Sequence, residues 1–246
     1  MKHSINLDRL EIPRGNTQKN VNRDILLYLL SAFETSSAFR VLDLPSGELE
    51  FLRLLRAVYP RASLTGGDLL HVEPPASINF RQTDATQPFD FGGNFDLVTS
   101  ISGIMMFGNT QLFLENCCRQ LASEGLIIIS NDSCFTIRDR LSYLFFGRFR
   151  RFKLLIENSE GLTQYIPLQE VCRQLKRNGV EVKDIVYTSF YPEDMLFLPF
   201  AFLLFPFQWL HLWRARSTIS RSLRFRMFPF RSLLCRHYFV VGQKLG

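Results

Sequence analysis

Between residues 41 and 130, short apolar stretches alternate with segments of helical period, and this alternation limits the fold more than any other feature of the chain. Residues 41–43, 62–67, 78–82, 95–101 and 126–130 read as strands, and residues 48–58 and 110–122 as helices between them. The run Leu126-Ile127-Ile128-Ile129 is apolar enough to be covered on both faces, as in a parallel sheet. Strands and helices in strict alternation predict a doubly wound α/β sheet. An amphipathic helix over 20–33, with Asn22 as its N-cap, leads in. Beyond the fifth strand, residues 168–175 show a helical face that stops at Asn178-Gly179; 180–191 and 236–243 read as two further strands. The expected architecture is therefore a mostly parallel, seven-stranded sheet with helices on both faces. An apolar and basic helical insertion interrupts it before the last strand. The chain divides into an N-terminal extension (1–19), a core (20–193), the insertion (194–235) and the final core strand (236–246).

In doubly wound sheets, ligands bind beyond the carboxyl ends of the strands. Here those ends carry Asp43, Asp68, Asp84, Ser100 and Asn131-Asp132. Asp43 lies just before the turn Pro45-Ser46-Gly47, and the G-x-G-x-x-G pattern of dinucleotide sites is absent. Acids at two neighbouring strand ends, about a glycine turn, suit a ligand that carries both a cation and a ribose diol. A carboxylate attracts the first and accepts hydrogen bonds from the second.

The stretches VLDLPSGELEFL (41–52), GGD (66–68), TDATQPF (83–89), FDLVTSISGIMMF (95–107) and LASEGLIIISND (121–132) resemble the class I, Rossmann-like S-adenosylmethionine-dependent methyltransferases. The likeness extends over about residues 20–190 and the last strand. It implies S-adenosylmethionine as cofactor. Asp43, Pro45, Ser46 and Gly47 would form the turn beside its methionine moiety, and Asp68 would hold the ribose hydroxyls. Asp84 and Ala85 would meet the adenine amino edge, and Ser100 would face the substrate. The sequence departs from the family's three-glycine turn at Pro45 and at Leu49, where a bulky side chain stands in place of the third glycine. The departure predicts either a displaced helix start or weaker cofactor binding.

Methyl transfer is an in-line displacement that draws much of its rate from orientation, and an oxygen nucleophile gains from a nearby base. Asp132 is the residue placed for that role, with the N-cap of a helix over 135–147 as its alternative. His71 reads as a surface residue, His211 as interfacial, and Cys117-Cys118 as packing. The five cysteines show no C-x-x-C and no paired histidines accompany them, so no metal site is expected and reduced thiols in a cytoplasmic compartment are.

Residues 195–213 form a run of 19 without a formal charge. The stretch after it, to Arg236, holds seven arginines and no acid, which accounts for the whole net charge of +6. A helix of that length matches a bilayer core of roughly 30 Å. Yet the arginine-rich return cannot cross a bilayer cheaply, and the last strand must rejoin the sheet. An in-plane or re-entrant insertion, broken at Pro199 and Pro206, is expected, with Trp209 and Trp213 at headgroup level and arginines on anionic lipid. A basic, aromatic run over 138–153 either extends the same surface or forms a helix with a solvated charged face. A dimer interface or a lid is the competing reading; the Leu-Phe-Pro runs are too apolar for a nucleic-acid groove.

Together these features predict a methyltransferase, cytoplasmic and peripheral on the inner face of the membrane, acting on a lipid-linked or amphiphilic acceptor. The run over 109–132 is similar to bacterial methyltransferases of glycan and natural-product pathways, which points to O-methylation of a glycan. A quinone, isoprenoid or acyl acceptor is the nearest rival. A non-catalytic scaffold docking through 195–235 is the other.

Overall fold

The computed structural model describes residues 10–150, 164–216 and 219–246. Seven strands form one sheet: β1 (Arg40–Asp43), β2 (Ser63–Asp68), β3 (Ile78–Gln82), β4 (Phe95–Ser100), β5 (Leu121–Asp132), β6 (Val180–Thr188) and β7 (His237–Lys244). Their order is β3-β2-β1-β4-β5-β7-β6, with β7 antiparallel to both neighbours and the other contacts parallel. The order reverses between β1 and β4, which brings their carboxyl ends to one crevice.

Strand alternation sends successive side chains to opposite faces, and each face has its own core. Helices α1 (Val21–Ala32) and α2 (Glu50–Val58) cover the face of Val41, Leu64, Leu97, Ile128 and Phe239. Helices α3 (Thr110–Gln120) and α5 (Leu168–Arg177) cover the face of Leu42, Val98, Ile127, Ile129 and Val240. The doubly wound expectation is met.

Several boundaries move for identifiable reasons. The fifth strand is longer than its apolar run, from Leu121 through Asp132, because β7 pairs with its polar end: Asn131 opposite Tyr238, Asp132 opposite His237. Helix α2 starts at Glu50 rather than at residue 48, because Leu49 takes a left-handed backbone (φ 64°). Asn22 is no N-cap; the helix begins after Asn20, and the Asn22 side chain instead donates to the carbonyls of Pro13 (2.9 Å) and Arg14 (3.3 Å). That tether lays residues 13–18 across the carboxyl ends of the strands as a strap.

The insertion between β6 and β7 contains α6 (Leu198–Arg214), which holds Pro206 inside, and α7 (Arg221–Met227). Helix α6 rests on Ile137 and Leu141 of α4 (Ile137–Phe146) and on Leu233. Arg236 fastens both ends of the excursion, bonding Asp194 through two nitrogens at 2.8 Å each and Glu193 at 2.7 Å. Residues 151–153 of the basic run and Ser217-Thr218 of the insertion lie outside the described residues.

Candidate active site

The turn after β1 is built by backbone bonds to the neighbouring strands. Leu44 N–H donates to the Thr99 carbonyl of β4 (2.9 Å), and Ser46 N–H to the Gly67 carbonyl of β2 (2.9 Å). Gly47 then adopts φ 49°, with open space where a side chain would begin, so ligand can approach the backbone closely there. Its N–H donates to Asp68 Oδ2 (2.8 Å), which ties the turn to the end of β2.

Leu49 resolves the departure noted in the sequence. Its side chain is fully buried in the core between α2 and the sheet. Gly66 makes this room: a Cβ there would stand 2.7 Å from Leu49 Cδ2. The helix start is displaced, and the turn is left clear.

Asp43 is buried and accepts a 2.6 Å bond from the Thr99 hydroxyl. Burial pushes its pKa up to about 7; Thr99 opposes that shift, and the nearby Asp68 charge adds to it. A buried carboxyl held near neutrality is a poised partner for a ligand cation. Asp68 accepts from Gly47 and, through Oδ1, from Leu70 N–H at 3.1 Å, and each oxygen keeps a lone pair for a hydroxyl. Asp84 is exposed, and its Oδ1 already closes a turn with Thr86 (2.9 Å to N, 2.7 Å to Oγ1), while Ala85 is buried in the α3-side core. Pro45 packs its ring on Gly103, where a Cβ would come within 2.2 Å. Ser46 Oγ and Ser100 Oγ are both buried and find no hydrogen-bond partner among the described residues.

Two spaces flank the strap. One, of about 50 Å³, lies between Gly15-Asn16-Thr17 and the turn Pro45-Ser46-Gly47, over Asp43. The other, about 470 Å³, opens between residues 14–18, Ser102, Met105, Met106 and Asp132. Asp132 is not a helix cap, since Thr136 Oγ1 caps α4 by accepting from Asp139 N–H at 3.1 Å. It accepts instead from His237 Nδ1 at 2.9 Å. His237 is wholly buried, and its Nε2 faces Ser130 Oγ (3.2 Å) and Ser102 Oγ (3.3 Å). Ser102 follows Ser100 at the substrate-facing end of β4, but His237 reads in the sequence only as part of a strand. The antiparallel register, which sets it against Asp132, brings it to the site.

Residues 42–129 match the family model of the methyltransferase domain. That segment carries a methyltransferase domain. Its sheet resembles that of a SAM-dependent methyltransferase from Archaeoglobus fulgidus (TM-score 0.55, 15% identity, 91% of this chain and 93% of that one). A S-adenosylmethionine-dependent methyltransferase from Mesorhizobium loti is similar in the same way (0.55, 12%, 89% and 96%). So is the 1,6-didemethyltoxoflavin-N1-methyltransferase of Burkholderia thailandensis, solved with 1,6-didemethyltoxoflavin and S-adenosylhomocysteine (0.53, 13%, 92% and 77%). At these identities the likeness is one of fold. No curated protein matches the sequence.

S-adenosylmethionine, which supplies an electrophilic methyl on a sulfonium, is the cofactor the sequence resemblance implies for this domain. The residues present fit it: an open glycine turn, two unpartnered buried hydroxyls, and acids on adjacent strand ends. Asp43 and the turn would hold the cationic amino-acid end, and Asp68 the ribose diol. The strap lies over the turn at that end of the crevice.

Proposed function

We propose that this methyltransferase works at an anionic membrane surface on an amphiphilic acceptor, with a hydroxyl of a lipid-linked glycan as the leading acceptor. The observation that carries the reading is α6. Of its 17 residues only Ala201 and Leu212 are buried, while Phe200, Phe202, Leu203, Leu204, Phe207, Trp209, Leu210 and Trp213 are exposed. Large apolar faces of this kind on a single chain mark contact with a membrane or another protein. The stretch Pro192–Arg214 is long and apolar enough to cross a membrane by length and composition alone. However, β6 and β7 pair side by side in one sheet, so the excursion leaves and returns on the same side.

The chemistry beside α6 favours lipid. Trp209 and Trp213 stack at 6.4 Å, with Arg221 over the Trp213 ring at 5.9 Å. Arg214, Arg216, Arg221, Arg224 and Arg226 follow in α6, α7 and the link between them, with no acid in that stretch. The end of α4 adds exposed Tyr143, Leu144, Phe145 and Phe146, followed by Arg148. An apolar face edged by cations and indoles is the chemistry of an interfacial element.

Flotation of the full chain with vesicles tests this. It is expected to rise with phosphatidylglycerol-containing vesicles and to stay down with pure phosphatidylcholine at physiological salt. A monodisperse dimer that ignores both vesicle types would overturn the reading and assign the α6 face to a second copy.

A further inference from the structure

Ser102, His237 and Asp132 form a directed chain from the open cleft into the sheet. With Asp132 ionised and the imidazole neutral, the ring carries its proton on Nδ1 toward Asp132 and presents Nε2 as an acceptor to Ser130 Oγ (3.2 Å) and Ser102 Oγ. Ser102 Oγ lies 3.3 Å from that nitrogen, and Thr17 Oγ1 lies 2.6 Å from Ser102 Oγ. Ser102 lines the cleft of about 470 Å³. It stands between β4 and a 3-10 turn (Ile104–Met106) in a left-handed backbone, φ 56°. A serine rarely holds that conformation unless its surroundings enforce it. Here Ser130 Oγ accepts from Ser102 N–H at 2.9 Å and holds it in place. The next residue, Gly103, packs under Pro45, which ties this chain of hydroxyls to the candidate cofactor turn.

We propose that Ser102 and His237 carry away the proton of an alcohol acceptor bound in this cleft, with Asp132 positioning the ring. The proposal rests on the reading of the chain as a methyltransferase of hydroxyl acceptors. The Thr17 hydroxyl marks where an acceptor hydroxyl can sit to donate into Ser102. As the acceptor oxygen forms its bond to the methyl carbon, the carbon–sulfur bond breaks and its electron pair stays on sulfur. The acceptor proton passes to Ser102 Oγ while the Ser102 proton passes to His237 Nε2. The positive charge lost at sulfur reappears on the imidazolium, where Asp132 stabilises it, and the ring later releases its proton to solvent. Amine acceptors need no such route during transfer, because they can lose their proton afterwards; the relay therefore selects for hydroxyls.

The test uses the full chain, methyl-labelled S-adenosylmethionine and a bacterial membrane extract as the source of acceptors. Ser102→Gly removes the hydroxyl at a position whose backbone suits glycine, so folding is retained; His237→Gln is the second variant. Both are expected to lower kcat by about 100-fold, in the range of general acid–base catalysis, while calorimetric affinity for S-adenosylmethionine changes less than about twofold. The ring ¹⁵N spectrum of His237 in the free protein should show the Nδ1–H tautomer and shift in Ser102→Gly, a readout independent of turnover. Label recovered as a methyl ether supports the assignment. Wild-type transfer that both variants match within about threefold, or label found only on amines, would overturn the relay while leaving methyl transfer intact. No label transferred by wild type would overturn the underlying reading itself.

Discussion

Leu49 occupies the space that a side chain on Gly66 would need, since a Cβ there would sit 2.7 Å from Leu49 Cδ2 and 3.0 Å from Leu52 Cδ1. A bulky residue at the start of α2 is thus matched by a glycine in β2, and the cofactor turn between them keeps its shape. Gly66→Ala is expected to destabilise the fold by about 1–3 kcal/mol through overpacking, and Leu49→Ala by about 2–5 kcal/mol through the cavity it leaves. Because the two share one space, the double variant should lose less than the sum. Urea unfolding of the three variants checks this.

The Asp43 pKa fixes a pH dependence. Between the ordinary carboxylate value and about 7, the folded protein holds a proton that the unfolded chain has released. Stability of the free protein should therefore fall as pH rises through that window, by at most about 1.4 kcal/mol per unit, and level off above it. Asp43→Asn should remove this slope from thermal melts. A bound cation favours the carboxylate, so S-adenosylmethionine affinity should rise with pH up to about 7 and then flatten. Calorimetry from pH 6 to 8 on wild type and Asp43→Asn separates this from ionisation of the ligand.

Asp68 and Asp84 should differ in weight. Asp68 joins the Gly47 turn to the end of β2, whereas Asp84 is exposed and partly engaged by Thr86. Loss of a charge-assisted acceptor costs roughly 1.5–3 kcal/mol, or about 10- to 150-fold in affinity. Asp68→Ala is expected to reach that range in S-adenosylmethionine binding, and Asp84→Ala to fall well short. Equal losses would disprove the ranking.

Arg236 should be a large structural contributor. It meets the buried Asp194 through a bidentate bond and stacks on Tyr191 with 4.2 Å to the ring centroid. Arg236→Ala leaves Asp194 buried without its counter-charge, a loss of roughly 3–5 kcal/mol. The melting temperature should drop, and limited proteolysis should open the chain within 195–235 before the sheet.

The sheet was legible in the sequence because its strands are apolar and its punctuation local. Val41-Leu42-Asp43 and Leu126-Ile127-Ile128-Ile129 declare themselves by composition, and the acids at their ends mark the crevice. What stayed hidden depends on contacts distant in the chain. His237 reads as an ordinary strand residue until β7 turns antiparallel and sets it against Asp132, 105 residues away. Asn22 looks like a helix cap because Asn favours that position, but its amide is drawn to the strap carbonyls of Pro13 and Arg14. Leu49 looked like a defect for want of its partner, since nothing local says that Gly66 lies beneath it.

Thr188 and His237 are opposite one another in the sheet, so the whole excursion from 189 to 236 departs from and arrives at adjacent rungs of one ladder. A detour with coincident ends costs the fold little more than the entropy of closing a loop, which grows only as the logarithm of its length. Such an appendage can be lengthened, trimmed or exchanged over evolutionary time without re-registering a strand. The same catalytic sheet could thus be redirected from one class of surface to another by editing a single hairpin.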